Sequence, residues 1–167
     1  MSSNSAKNRK QVWLTASVVG GLCSVLYFVS WWLPALYYSR DPAPVQIGKY
    51  PGFALLLLGW MEALSGSTCG MAWMANPCFA VGILALIRRQ FGWATLILGV
   101  ACGLASASFG VKSVCIDQAG SMATVLGFGP GFWVWYWSMA TSFVASFLFW
   151  ILSPNGQKPV DPSQILF

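Results

Sequence analysis

Four long apolar runs, residues 12–36, 51–87, 91–111 and 131–152, fill most of the chain, and its few charges, all but Glu62, gather between and beyond them. A bilayer core about 30 Å thick takes roughly 20 apolar residues per helical crossing, so each run is long enough to span one. The chain is 57% hydrophobic and only 8% charged over 167 residues, which leaves no material for a separate soluble domain. These features predict an all-α membrane protein, a four-helix transmembrane bundle with a broken, overlong second helical stretch. They place a basic cytoplasmic N-terminus at 1–11, one transmembrane domain at 12–153 and a flexible Pro-rich cytoplasmic tail at 154–167. The first run is longer than a signal-peptide core and has no A-x-A-like site before Trp31 and Trp32, so it reads as a retained helix.

The second run sets the number of crossings. Its 37 residues would extend about 55 Å as one helix, too long for one upright crossing and barely enough for two. Positive charge decides between them. A single crossing puts Lys7, Arg9, Lys10, Arg88, Arg89 and Lys158 on the cytoplasmic side and Arg40, Lys49 and Lys112 outside; a double crossing reverses the majority. The single crossing therefore predicts a helix near 52–65, a break in SGSTCG and a spanning helix near 72–88, with both termini cytoplasmic. Asn76-Pro77 marks either a second kink or the true helix start, since proline disfavours helical geometry in the residue before it. Residues 39–50 read as a loop, 112–130 as a moderately polar loop, and GFGPG (127–131) as a flexible turn into the last helix. Small residues predict packing faces: Ala16, Gly20 and Gly21 on the first helix, and Gly99, Gly103, Ala101, Ala105 and Ser108 on the third.

Glu62 is the only charge within the second run, and a carboxylate at that depth faces water, a bundle interior or the interface. Its two readings are a proton-handling or ligand-binding group and a structural group that pairs with Arg40 or Lys49 or caps the break. The break would open a cleft bounded by Glu62, Trp60, Cys69, Trp73 and Asn76, with Trp60 and Trp73 as candidate walls for a quinone or lipid. Of five cysteines, Cys69, Cys78 and Cys115 fall toward the outer side, where an oxidising compartment permits a disulfide. Cys69–Cys115 ranks ahead of Cys78–Cys115 and Cys69–Cys78, and the alternative is that all are free small hydrophobes. The chain has no histidine, no C-x-x-C and no nucleotide or nucleophile motif, so no catalytic residues, metal ligands or cofactor are assigned. Scattered basic residues at run ends speak of topology, which argues against a nucleic-acid partner.

AWMANPCFAVGILAL (72–86), preceded by Gly59, Trp60 and Gly66, resembles an A-W-x-A-N-P pattern of uncharacterised small bacterial inner-membrane proteins with four predicted helices. GPGFWVWYWS (129–138) is similar to the G-x-G-aromatic-x-x-W motif that opens their last helix. The resemblance covers about residues 52–150 and implies four helices and a multi-pass inner-membrane location; it implies no activity. The functional expectation is a non-enzymatic membrane protein that binds a membrane partner, as an accessory subunit, a regulatory or immunity-type protein, or a homo-oligomer, with membrane lipids around it. The alternatives are a small transporter or channel component with a site at the broken helix around Glu62, and a thiol or quinone redox partner.

Overall fold

The computed structural model describes residues 3–40, 46–64, 67–115 and 122–152. Its helices are α1 (Ser3–Ser30), α2 (Gly52–Leu64), α3 (Thr68–Trp73), α4 (Ala75–Ile87), α5 (Phe91–Ser106) and α6 (Pro130–Leu152), and a 3-10 turn, Ala107–Gly110, follows α5. Strands β1 (Pro34–Arg40), β2 (Gln46–Pro51), β3 (Ser113–Cys115) and β4 (Met122–Phe128) form one antiparallel sheet in the order β2-β1-β4-β3. The all-α four-helix expectation is thereby corrected: this is a mixed α/β chain. The tail at 154–167 lies outside the described residues.

The physical reason lies in where the connections meet. Helices α4 and α5 are joined by a tight turn and pack together, and α6 packs on both α5 and α1. That arrangement brings the segment after α1 and the segment after α5 to the same end of the helices. PALYYSR, QIGKYP and MATVLGF are rich in aromatic and β-branched residues that suit a pleated, half-buried surface. β1 pairs with β2 as a local hairpin and with β4 across the molecule, Tyr38 opposite Gly48 on one side and Val125 on the other. The aromatic run WWLPALYY therefore ends α1 at Ser30 and supplies β1; it is not the last turn of a helix. One sheet face buries Leu36, Tyr50 and Val114 against Ala54 and Leu55 of α2. The other leaves Ile47, Lys49, Met122 and Thr124 exposed.

Among the described residues, three segments are long and apolar enough to cross a membrane: Thr68–Ile87, formed by α3 and α4 together, Phe91–Gly110 and Pro130–Leu152. Leu14–Ser30 and Gly52–Leu64 are shorter apolar helices. α1 buries Ala16, Gly20, Cys23, Tyr27 and Ser30, steps of four and three that place one stripe toward its neighbours. The core includes Ala16 and Tyr27 of this stripe with Phe79, Leu86, Leu98 and Met139. On α6 the buried stripe is Ser138, Ser142 and Ser146, whose hydroxyls donate to Trp135 O, Ser138 O and Phe143 O at 2.7–2.8 Å. Small residues of this kind let backbones approach while bonding their polar atoms within their own helix. Ala101 and Ala105 are fully buried as predicted, and Gly99 faces Phe143, but Gly103 meets nothing within 4 Å. The Gly99–Gly103 pair is thus a contact at one glycine only.

Candidate functional site at the sheet-bundle junction

The overlong second run is broken as its length requires. α2 and α3 fold back on each other around residues 65–66, which lie outside the described residues. Ser67 starts α3: its Oγ accepts from Gly70 N at 3.0 Å, and its hydroxyl donates to Glu62 Oε2 at 2.7 Å. An acceptor at a helix start satisfies one of the amides that have no partner within the helix. Glu62 thereby joins the end of α2 to the cap of α3.

Two glycines bring the hairpin's helices into contact. The Trp73 ring lies directly on Gly59, and Gly70 lies directly on the backbone of Glu62 and Ala63, so a Cβ at either glycine would overlap its neighbour. Trp73 Nε1 donates to Leu56 O on α2 at 2.7 Å and fixes the register of the pair. Gly59, Gly70 and Trp73 therefore form the closing surface of this hairpin.

The Asn76-Pro77 step belongs to the first turn of α4. Proline has no N–H, so the carbonyl of Trp73, four residues earlier, loses its helical donor. The adjacent side chain replaces it, with Asn76 Nδ2 donating to Trp73 O at 3.0 Å. The same carboxamide reaches two further helices. Asn76 Oδ1 accepts from Tyr27 Oη on α1 and from Trp135 Nε1 on α6, each at 2.9 Å. Because an indole nitrogen only donates, the atom facing Trp135 is the oxygen, which fixes the orientation of the amide. Tyr27 in turn stacks on Phe79 and meets the Trp31 ring edge-on. The Trp31 Nε1 is buried without a hydrogen-bond partner.

Around this hub lies a cavity of about 100 Å³, bounded by the ends of α1 and α6, the α2–α3 hairpin, β1 and β4. None of its described lining residues is charged, and its walls are mainly aromatic and aliphatic, with Trp31, Trp73, Phe132 and Trp135 among them. Of the five residues expected around a cleft, Cys69, Trp73 and Asn76 line this cavity together. Trp60 and Glu62 do not: Trp60 is 48% exposed, and Glu62 is engaged at the hairpin turn. Cys69 is a free thiol, which does not support the expected Cys69–Cys115 disulfide; the Cys115 side chain lies outside the described residues. Cys78 is free as well. Among the described residues the cavity wall thus carries one thiol and no carboxylate or imidazole, a set suited to holding an uncharged group.

Sequence reasoning did not find Tyr27, Trp31 and Trp135. Their signal, aromatic residues near run ends, is the same as that of an interfacial belt. Nor was Gly129 a flexible turn, for its N–H donates to Ala35 O at 2.7 Å and its Cα lies against the Pro34 carbonyl. No protein family, curated protein or solved structure matches this chain.

Proposed function

We propose that the chain is a non-enzymatic integral membrane protein that acts by binding a membrane protein partner, which includes a second copy of itself. The observation that carries this reading is the outward face of the sheet. Ile47 (65% exposed), Met122 (60%) and Leu126 (53%) stand exposed there with Lys49, beyond the ends of the apolar spans. Apolar side chains on a spanning helix are covered by lipid, whereas an apolar surface on a sheet outside the spans is a place for protein contact. On the charge bias of the sequence, the sheet lies outside the cytoplasmic membrane, with the Arg88/Arg89 turn and both termini inside. The transport reading has less support, because Glu62 bonds the cap of its own hairpin and does not line the cavity.

The test is site-specific photo-crosslinking in native membranes with the probe at Ile47 or Leu126. The expected result is a discrete adduct of defined mass that disappears when the probe at Ile47 is combined with Leu126→Lys. No adduct from either position, together with a solitary monomer in mild detergent, would overturn the reading.

A further inference from the structure

A carboxamide has four hydrogen-bonding places: two acceptor directions on oxygen and two N–H donors. At Asn76 three are filled, by Tyr27 Oη, Trp135 Nε1 and Trp73 O. The second Nδ2–H remains, on a side chain that forms part of the cavity wall. A second donor in the same wall is also unmet, for the buried Trp31 Nε1–H has no hydrogen-bond partner. The wall is therefore short of an acceptor, and it holds no charge that would favour an ionic one. An occupant that matches is apolar along its length and carries a neutral acceptor oxygen.

Place and size narrow the class. The cavity lies at the last turn of α1 and the first turns of α6, where the apolar spans give way to the sheet. In a bilayer this is the level at which hydrocarbon chains meet the interfacial region. An engineered apolar cavity of about 150 Å³ admits benzene. A space of about 100 Å³ is too small for a substituted ring but large enough for an ester group and the first methylenes of a chain. We propose that this cavity is a lipid site: it holds one acyl ester of a bilayer phospholipid, whose carbonyl oxygen accepts the remaining Asn76 Nδ2–H. The site is separate from the sheet face assigned above to a protein partner, and its failure would leave that assignment standing.

The full chain is reconstituted in nanodiscs of diester phosphatidylcholine or of the diether analogue with matched chains, which has no carbonyl. Native mass spectrometry then counts the lipids kept after detergent release. Wild type is expected to keep one diester lipid with at least tenfold higher occupancy than the diether. Leu55→Phe and Val111→Phe, which fill the cavity, are expected to lose it while unfolding at or above the wild-type temperature. A second measurement needs no variant: alkylation of Cys69, which lines the cavity, by N-ethylmaleimide is expected to be at least fivefold slower in diester than in diether discs, with Cys102 on α5 unchanged. Equal retention of the two lipids with equal Cys69 rates, the result for a cavity that holds only water, would overturn the proposal. Undiminished retention by a folded cavity-filling variant would do the same.

Discussion

Asn76 is one polar side chain serving three apolar helices, and the consequence of losing it differs from that of losing any one partner. Tyr27→Phe or Trp135→Phe removes a single bond and leaves Oδ1 with its other donor. Hydrogen bonds between helices in membranes average about 0.6 kcal/mol and reach about 1.7, so each of these variants is expected to lose about 1 kcal/mol. Asn76→Leu strands the Tyr27 hydroxyl, the Trp135 N–H and the Trp73 carbonyl at once. Unmet buried groups cost more than absent bonds, and the loss is expected at roughly 2–4 kcal/mol. Thermal unfolding of the purified chain in a single detergent checks the ranking; Asn76→Leu no worse than either single-bond variant would show that the hub is not cooperative. The sequence made Asn76-Pro77 visible as a backbone event. It did not reveal the reach of the side chain, because Tyr27 is 49 residues away and Trp135 is 59.

At the scale of the element, the serine stripe of α6 makes a different kind of prediction. Ser142 is fully buried and bonds Ser138 O on its own helix, so its hydroxyl makes no call on a neighbour. Ser142→Ala is therefore expected to change stability by less than about 0.5 kcal/mol, the size of an ordinary tolerated change. Ser142→Leu adds volume to a close-packed contact and is expected to cost about 1–3 kcal/mol. Denaturant titration in mixed micelles separates the two; a harmless leucine would mean that the stripe is not a packing face. Helix α6 and the α2–α3 break were legible because hydrophobic run length and Gly/Ser content act locally. The sheet was not, since β1 and β2 make a hairpin but β4 lies more than eighty residues from β1 in the chain. Its strands alternate weakly: β4 reads exposed, buried, exposed, intermediate, exposed, intermediate, intermediate. Only the helical arrangement, which brings both connections to one end, makes the pairing available.

The whole molecule has two unlike ends. One carries the sheet and the cavity; the other is the tight α4–α5 turn, where Arg88 and Arg89 are exposed and Arg89 takes a left-handed φ of 63°. With α3 and α4 acting as one span, the sheet and this turn must lie on opposite sides of any membrane the chain crosses. That separation can be read directly by cysteine labelling. Thr124 on β4 and Gln90 beside the arginines are both exposed, so Thr124→Cys and Gln90→Cys in a background without the native cysteines report one end each. A membrane-impermeant maleimide applied to intact cells is expected to label Thr124→Cys within minutes and Gln90→Cys only after permeabilisation. The reverse pattern would invert the orientation drawn from charge while keeping the fold. Labelling of both from the same side would require the chain to cross an even number of times between the two positions, and the single span Phe91–Gly110 that joins them would then not hold.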